Sequence, residues 1–331
     1  MKNNIDAHEN ILALIGNTPL IKLNKSVSDY KGTFFAKYEA NNPGHSNKDR
    51  IALHIVETAE KEGLINENTT IIETSSGNTG FSLSMVAMVK GYKCIVAVSN
   101  KSSKDKIDML KSMGAKVYVC PANVPADDKR SYYQVAKTLN SEIQDSIYIN
   151  QYFNELNIQA HYLTTGKEIW EQTNGLVTHI VASSGTGGTI SGIGRYLKEK
   201  NPDIKIIGVD AYGSVLKKFH ETGEFDQNEI YPYITEGIGE DILPKNVDFD
   251  IIDYFEKVTD QNAATYTRRL AKEEGIFAGN SCGAAVRGVV QLKKYFKKDD
   301  VVVVLLHDSG SRYVGKFYND DWMKKNGFKL D

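Results

Sequence analysis

The chain has 331 residues, of which 41% are hydrophobic, and its 40 basic and 42 acidic residues give a net charge of -2. This length exceeds the roughly 100 to 200 residues typical of one domain, so we expect two domains or one large α/β unit with a sizeable core. The balanced charge, which forms no basic stripe, excludes nucleic acid as a partner. No apolar run reaches the roughly 18 residues needed to span a bilayer, so we expect no membrane segment. The polar start MKNNIDAHEN has no signal-peptide core, which predicts a cytoplasmic protein.

The first junction of interest in chain order carries Lys48. A strand-like run, FFAKYEANN, breaks at Pro43-Gly44 and leads through HSNKDR into the helical pattern DRIALHIVETAEKEG. A lysine at a helix start is normally solvated, with a pKa of about 10.4. A surface charge is therefore the ordinary interpretation, and three polar, glycine-rich turns farther along the chain favour a chemical role instead.

Beyond this junction, short β-branched runs alternate with amphipathic stretches. The strand-like runs are TIIE, CIVAV, KVYV, THIVAS, IKIIGVD, FDIIDYF and VVVVLL. The helical patterns are FSLSMVAMVK, KIDMLKSMGA, ISGIGRYLKEK, AATYTRRLAKEEG and GAAVRGVVQLKKYF. This alternation predicts βαβ units and mostly parallel sheets covered by helices on both faces. The charged, turn-rich segment PANVPADDKRS at 121–131 predicts an excursion or lid.

The first glycine-rich turn is SSGNTG at 75–80, between TIIET and FSLSMVAMVK. Hydroxyls, an amide and backbone N–H groups at a helix start suit a bound carboxylate. The alternative is plain N-capping, for which Ser and Asn are preferred residues. One residue would suffice for a cap, so the excess of hydroxyl groups favours a binding site.

The second glycine-rich turn is GTGGT at 185–189, between the strand-like HIVAS and the helical ISGIGRYLKEK. Glycines let backbone N–H groups approach a phosphate, and the helix start adds partial positive charge, so a phosphate cradle is favoured over a simple tight turn. A dinucleotide fingerprint would need glycine where the chain has Ile190, and there is no P-loop GK[ST]. The phosphate therefore belongs to another kind of ligand. In the third turn, GNSCGAA at 279–285, Ser281 alone would ordinarily be a helix cap.

Cysteine usage and metal motifs add little. The three cysteines, Cys94, Cys120 and Cys282, are odd in number and far apart, which predicts reduced thiols. No CxxC or HExxH spacing is present, so we expect no metal site.

A lysine amine, a phosphate cradle and a carboxylate turn together suggest pyridoxal phosphate chemistry. From IGNTPLIKLN at 15–24 to its end, the chain resembles the cysteine synthase and cystathionine β-synthase family of fold-type II pyridoxal phosphate enzymes. The stretches that carry this resemblance are NPGHSNKDR, SSGNTG, NQYFNELNIQAHY, VASSGTGGTISGI, IIGVDAYGS, EGIGEDILP and FYNDDWMKKNGF. The last of these, and the PAN segment after Cys120, resemble the catalytic core of cystathionine β-synthases more than O-acetylserine sulfhydrylases.

The resemblance implies an α/β, tryptophan synthase β-like fold of two domains, each a mostly parallel sheet flanked by helices. It places residues 1–40 and 153–331 in a larger phosphate-binding domain and residues 41–152 in a smaller, mobile domain with the lysine and the carboxylate loop. It also implies a homodimer. The chain begins too close to the core for the haem-binding extension of the animal enzymes and stops at Asp331, so we expect neither haem nor S-adenosylmethionine control.

Site residues follow from the resemblance, position by position. Lys48 matches the Schiff-base lysine, which also moves the Cα proton, and Asn78 matches the residue that bonds the cofactor's 3′ oxygen. Ser281 matches the serine that faces the pyridine nitrogen. The phosphate loop matches Gly185, Thr186, Gly187, Gly188 and Thr189. The group that binds the amino acid's carboxylate matches Ser75, Ser76, Asn78, Thr79 and Gln151, and the loop that borders the cleft matches Gly237–Gly239.

The activity implied is β-replacement on small amino-acid substrates in cysteine biosynthesis and transsulfuration. We expect L-serine and L-homocysteine to give L-cystathionine, and a lowered pKa to fit Lys48 for proton transfer. The alternatives are cysteine synthase, which uses O-acetyl-L-serine and sulfide, and release of hydrogen sulfide from cysteine. A scaffold or sensor that keeps the fold without the reaction is the alternative outside the enzymes, and the intact motifs argue against it.

Two departures from the family pattern stay open. His45 stands near the lysine where the family has glycine, serine or arginine types, and it lies either near the leaving group or on the surface. Glu240 stands where the animal and yeast enzymes carry tyrosine, and it either binds the ammonium of a second substrate or is solvated, which we favour. His161, His179 and His307 are expected to be packed or hydrogen-bonded core residues, and Cys282 a small buried one.

Overall fold

A computed structural model describes residues 7–75, 77–100, 102–125 and 127–330. Its strands are β1 (Leu20–Lys22), β2 (Thr33–Tyr38), β3 (Thr70–Thr74), β4 (Lys93–Ser99), β5 (Lys116–Cys120), β6 (Ser146–Tyr148), β7 (His179–Ser183), β8 (Lys205–Ala211), β9 (Tyr254–Val258) and β10 (Val301–Leu306). Its α-helices are α1 (Lys48–Lys61), α2 (Asn78–Lys90), α3 (Lys104–Ser112), α4 (Tyr132–Glu142), α5 (Leu156–His161), α6 (Lys167–Gln172), α7 (Gly188–Lys200), α8 (Leu216–Thr222), α9 (Asp260–Arg269), α10 (Asn280–Leu292) and α11 (Asp320–Lys325). Two π-helical turns occur, at Tyr162–Gly166 and Leu270–Glu274.

The chain divides into two compact units. We call the part up to residue 17 together with 42–150 the small unit, and 18–41 together with the part from 151 onward the large unit. The helices α1 to α4 belong to the small unit, and α5 to α11 belong to the large unit.

The small unit contains a four-stranded parallel sheet in the order β5-β4-β3-β6. Every residue of β3 is buried, which is the pattern of a parallel strand covered on both faces. Ile72, Ile95 and Ala97 of the sheet pack with Ala136 of α4, so the helix covers one face of the sheet.

The large unit contains a six-stranded sheet in the order β1-β2-β10-β7-β8-β9. All its pairings are parallel except that of β1 with β2, where Leu20 lies opposite Lys37. The apolar run VVVVLL forms the central strand β10, and its alternate residues enter two different core clusters. The predicted α/β architecture of mostly parallel sheets is therefore confirmed.

The strand prediction for FDIIDYF at 249–255 is wrong over most of its length. Only Tyr254 and Phe255 belong to β9, which continues to Val258. Phe249, Ile251 and Ile252 bury their side chains against a core cluster from an irregular segment. Asp253 accepts a hydrogen bond from Ile206 N (2.8 Å) with its side chain and donates one from its backbone N–H to Ile206 O (2.8 Å), so the segment reaches the sheet at this one residue before β9 begins. The apolar residues cover the core there without pairing as a strand.

Two strand-to-helix junctions matter for the site. In the small unit β3 ends at Thr74 and α2 begins at Asn78. In the large unit β7 ends at Ser183 and α7 begins at Gly188. Ligands of open parallel sheets bind beyond the carboxyl ends of the strands, where both junctions lie.

Candidate active site

Lys48 is the first residue of α1, and its surroundings are polar and buried. Its Nζ donates a hydrogen bond to Asn47 Oδ1 (3.0 Å), and its backbone N–H donates to Ser46 Oγ (3.3 Å). Ser46 and Asn47 are fully buried, whereas Lys48 itself is partly exposed. The amine is thus held at a defined place and is not a free surface charge.

The turn before Lys48 is fixed by the buried carboxylate of Asp49, which the sequence analysis missed. Asp49 accepts hydrogen bonds from Gly44 N (2.5 Å) and from Ser82 Oγ (2.5 Å) of α2. A Cβ at Gly44 would collide with the same carboxylate, so the turn requires glycine. Since α1 also packs against α2, Asp49 locks the start of α1 onto that helix. His45 in this turn is exposed, in agreement with its interpretation as a surface residue.

The turn SSGNTG joins β3 to α2 and is closed by contacts of its own. Ser75 Oγ accepts a hydrogen bond from Gly77 N (3.2 Å), and a Cβ at Gly80 would collide with the Ser75 carbonyl. Asn78 and Thr79 are the first residues of α2, and the positive end of a helix dipole favours an anion. Ser76, also predicted for this site, lies outside the described residues.

The turn GTGGT joins β7 to α7, as the sequence predicts. Gly187 has φ +86°, in the left-handed region that favours glycine, and a Cβ there would lie 2.6 Å from Val247 N. A Cβ at Gly188 would overlap with the carboxamide of Asn157. Both glycines are thus required by close neighbours. A helix start that follows such a turn is a common place for an anion to bind.

Side chains from two other helices support this loop. Thr189 Oγ1 lies 3.2 Å from His161 Nε2, and His161 Nδ1 lies 2.8 Å from Thr165 Oγ1. The prediction that His161 is a hydrogen-bonded core residue is confirmed. Asn157 Nδ2 donates to Thr186 Oγ1 (3.2 Å), a contact that the sequence analysis missed although Asn157 lies in the motif NQYFNELNIQAHY.

Gln151 is held by its backbone. Its carbonyl accepts hydrogen bonds from Asn157 Nδ2 (2.9 Å) and from Asn246 Nδ2 (2.8 Å), and the residue is almost fully buried. The side chain of Asn157 therefore joins Gln151, a predicted site residue, to Thr186 of the predicted phosphate loop.

Ser281 and the Gly237–Gly239 loop are neighbours in the large unit. A Cβ at Gly237 would lie 3.9 Å from Ser281 Oγ, and Ser183 Oγ at the end of β7 donates to Ser281 O (2.7 Å). Gly239 N donates to Ser184 O (2.7 Å), just before the phosphate loop. The predicted phosphate loop, Ser281 and the loop at 237–239 thus lie at one end of the sheet of the large unit. Cys282 next to Ser281 is fully buried, as predicted, and burial raises the pKa of its thiol.

Glu240 is not the solvated residue that we favoured. Its side chain is partly buried, and its Oε1 would lie 3.4 Å from a Cβ at Gly185 of the phosphate loop. Burial, and then the charges of Asp241 and Asp210, raise the pKa of the Glu240 carboxyl to about 8. At neutral pH this carboxyl is therefore mostly protonated, so it places little negative charge beside a loop suited to an anion.

The described residues form neither a metal-binding cluster nor a membrane-crossing helix. In that part of the chain, no group of three or more His, Cys, Asp or Glu side chains is arranged to hold a metal ion. No helix formed by those residues is both long and apolar enough to cross a membrane.

Comparison with known proteins places this geometry in a family. The family model described as pyridoxal-phosphate dependent enzyme matches residues 11–308. The chain belongs to this family. Cystathionine β-synthases from Apis mellifera and Saccharomyces cerevisiae are 43% and 40% identical to this member over 96% and 97% of its length. The chain spans only 63% and 65% of the length of those two relatives.

Solved structures of the same fold agree with this family assignment. A hydrogen sulfide-producing enzyme from Fusobacterium nucleatum superposes with a TM-score of 0.85 at 33% identity, over 93% of this chain and 99% of that one. An O-acetylserine dependent cystathionine β-synthase from Helicobacter pylori superposes with a TM-score of 0.84 at 34% identity, over 94% and 99%. The predicted resemblance and the predicted fold-type II architecture are confirmed.

The cofactor of the family is pyridoxal 5′-phosphate, and the large unit fits its phosphate group. The loop is shaped so that side chains are excluded at Gly187 and Gly188, which leaves backbone N–H groups to face an anion. Ser184 Oγ, just before the loop, is buried and has no hydrogen-bond partner within the described part of the chain. A buried hydroxyl of this kind is suited to a polar ligand.

Proposed function

We propose that the protein is a cystathionine β-synthase, which converts L-serine and L-homocysteine into L-cystathionine and water. In this reaction the Cβ–O bond of serine breaks, a Cβ–S bond to homocysteine forms, and the hydroxyl group leaves as water with the thiol proton. The observation that carries the proposal is the 40–43% identity with cystathionine β-synthases over 96–97% of the chain. The position of Lys48 at a structured helix start supports it.

The proposed proton transfers are assigned to Lys48. Pyridoxal phosphate, when bound, supplies an electron sink that makes the Cα proton of the donor acidic. We propose that Lys48 Nζ holds the cofactor covalently, removes this proton once the donor has displaced it, and returns a proton after the thiol has added. The hydrogen bond to Asn47 Oδ1 orients the amine for both tasks.

The other proposed roles concern binding. We assign the phosphate group of the cofactor to Gly185–Thr189, its 3′ oxygen to Asn78 and its ring nitrogen to Ser281. The carboxylate of the donor is assigned to Ser75, Ser76, Asn78, Thr79 and Gln151. Gly237 borders the cleft, and its neighbour Ser281 lies close enough for the two to form one wall.

A matrix of donors and acceptors tests the reaction. The purified protein with pyridoxal phosphate is incubated with serine, O-acetylserine or cysteine, each paired with homocysteine or sulfide, and the products are identified by mass. We expect cystathionine from serine and homocysteine. Cysteine formed only from O-acetylserine and sulfide would contradict the proposal and identify a cysteine synthase.

Specific observations favour two other donors as second candidates. The likeness to an O-acetylserine dependent cystathionine β-synthase favours O-acetylserine with the same thiol acceptor. The likeness to a hydrogen sulfide-producing enzyme favours cysteine, with sulfide as the leaving group. In the matrix, the donor with the highest kcat/KM for cystathionine formation decides between them.

We propose further that the protein acts in the cytoplasm as a homodimer, in cysteine biosynthesis or transsulfuration. The family resemblance supports the dimer, and the sequence composition supports the location. Sedimentation of the purified protein at twice the mass of one chain would support the dimer, and sedimentation as a monomer at micromolar concentration would contradict it.

A further inference from the structure

We propose that Asn157 is a positioning residue that presets the Thr186 hydroxyl as a donor to the cofactor's phosphate and ties the phosphate loop to Gln151. The inference rests on the proposed roles of that loop and of Gln151. Among the roles proposed above, Asn157 contacts neither the phosphate group of the cofactor nor the amino-acid substrate.

The orientation of the Asn157 amide follows from its partners. The Gln151 carbonyl can only accept a hydrogen bond, so the atom 2.9 Å from it must be the amide nitrogen Nδ2. The same nitrogen lies 3.2 Å from Thr186 Oγ1, and an amide nitrogen can only donate. Its two N–H groups are thus directed to a backbone carbonyl and to a loop hydroxyl. Asn157 is buried to 1% exposure, so its amide is shielded from water.

A consequence for Thr186 follows. A hydroxyl has one proton to donate, and its oxygen accepts through lone pairs. Because Asn157 occupies a lone pair of Thr186 Oγ1, the hydroxyl proton points away from the amide and remains available to an anion. Thr186 lies in the middle of a loop whose N–H groups serve the same purpose. Asn157 thereby determines the direction in which this hydroxyl donates.

The fit against Gly188 fixes the amide in place. A Cβ at Gly188 would overlap with the carboxamide of Asn157, so the first turn of α7 packs directly on this group. The amide fills a space that glycine alone leaves open. A shift of the loop would therefore shift Asn157, and through it the backbone of Gln151.

Asn246 offers a matched control. Its Nδ2 donates to the same Gln151 carbonyl (2.8 Å) and to Asn154 O (3.0 Å), and it is fully buried. Its side chain has no hydrogen bond to Thr186. The substitutions Asn157→Asp and Asn246→Asp both replace a donor to Gln151 by a carboxylate, and only the first should reverse the Thr186 hydroxyl and add negative charge beside the phosphate.

The experiment compares two ligands of the full-length protein after removal of its cofactor. Pyridoxal 5′-phosphate and pyridoxal, which lacks the phosphate, are titrated by visible absorbance into wild type and both variants. We expect Asn157→Asp to weaken pyridoxal phosphate about tenfold or more while pyridoxal affinity is unchanged, in line with loss of one charge-assisted hydrogen bond. Asn246→Asp should keep the affinity for pyridoxal phosphate within about twofold of wild type, because Asn246 does not bond to Thr186.

A second set of variants covers the case in which a buried Asp prevents folding. Thr186 is partly exposed, so Thr186→Val and Thr186→Ser should fold. Thr186→Val should reduce the preference for pyridoxal phosphate over pyridoxal, and Thr186→Ser should restore it. In the Thr186→Val background, Asn157→Ala should reduce this preference by less than it does in wild type, because part of its effect passes through the Thr186 hydroxyl.

Three results would overturn the proposal. These are equal affinity of wild type and Asn157→Asp for pyridoxal phosphate, equal losses in Asn157→Asp and Asn246→Asp, and a loss for pyridoxal as large as that for pyridoxal phosphate. In the holoenzyme, both Asp variants should also weaken serine binding through Gln151. Absence of turnover with every donor would refute the proposed function and leave the comparison of the two ligands intact, so the two failures are distinguishable.

Discussion

The two strand-to-helix turns of this protein have the same plan and are stabilised differently. In the small unit, the tightest contact of the turn at 75–80 is internal, since a Cβ at Gly80 would lie closest to the Ser75 carbonyl, ahead of Val96 and Leu110 at 3.2 and 3.3 Å. In the large unit, the turn at 185–189 is closed by distant residues, since Val247 confines Gly187 and Asn157 confines Gly188. The first turn is therefore held mainly from within, whereas the second is held by residues from other segments of its unit.

The difference predicts where substitutions do most damage. A residue that closes the turn in the large unit affects several elements at once, whereas one in the small unit acts on a single helix start. The lysine junction of the small unit is an intermediate case, because Asp49 joins its turn to the neighbouring helix α2.

Gly187→Ala should have the largest effect. The left-handed conformation costs an alanine about 1–2 kcal/mol, and the clash with Val247 N adds about 1–3 kcal/mol, so the free energy of unfolding should fall by about 2–5 kcal/mol. Urea unfolding measures this loss. The control is Gly223→Ala, which has φ +72° and no neighbour within 4 Å of its Cβ, and which should cost only the conformational part. Equal losses in the two variants would contradict closure of the loop by Val247.

Asp49→Asn should have the next largest effect. An amide cannot accept from both Gly44 N and Ser82 Oγ as the carboxylate does, so we expect the free energy of unfolding to fall by about 1–3 kcal/mol. Cofactor binding at Lys48 should weaken as well, because the turn before it loosens. Asp105→Asn is the matched control, since Asp105 is also the second residue of its helix but is exposed, and its loss should stay below about 0.5 kcal/mol. A similar loss in both variants would show that the turn does not depend on Asp49.

Glu240→Gln should have the smallest effect, visible as a change in pH dependence. The pKa of Glu240 rises from 4.5 to about 8 in the folded protein, so between these values the folded state retains a proton that the unfolded state has lost. Stability therefore falls as pH rises through this window, by an amount on the order of 1 kcal/mol for a partly buried group. The amide of the variant does not titrate. The stability of the variant, measured relative to that of wild type, should therefore increase from low to high pH.

Urea unfolding near pH 5 and near pH 8 measures this difference. Glu224→Gln, an exposed position in the same unit, should leave the pH dependence of wild type unchanged. If Glu240→Gln and wild type lose stability in parallel between these pH values, the carboxyl does not carry a raised pKa.

The contrast between local and distant closure also explains what the sequence could predict. Strands such as VVVVLL and the glycine-rich turns at 75–80 and 185–189 were predictable because each shows its pattern within a few residues. FDIIDYF was misassigned because apolar residues that cover a core from a loop have the same local composition as a strand. Asp49 was missed because its partners include Ser82 on another helix.

The environment of Glu240 depends on tertiary structure in the same way. Nothing in the segment EGIGEDILP indicates that Asp210, from another part of the chain, lies near this carboxyl. Asn157 lies within a motif that carries the family resemblance, yet its bond to Thr186 joins two segments far apart in sequence. Side chains that connect elements distant in sequence are therefore the part of the site that only the structure reveals.

The most direct test of the account concerns Lys48 itself. Borohydride reduction fixes the cofactor to whichever lysine holds it, and peptide mass mapping then identifies that residue. We predict that the modification lies on the peptide that contains Lys48. In Lys48→Ala, both the modification and the yellow absorbance of the cofactor should be lost. In Lys61→Ala, at the exposed opposite end of α1, both should be retained. Modification of a different lysine, or retention of the absorbance in Lys48→Ala, would contradict the central claim.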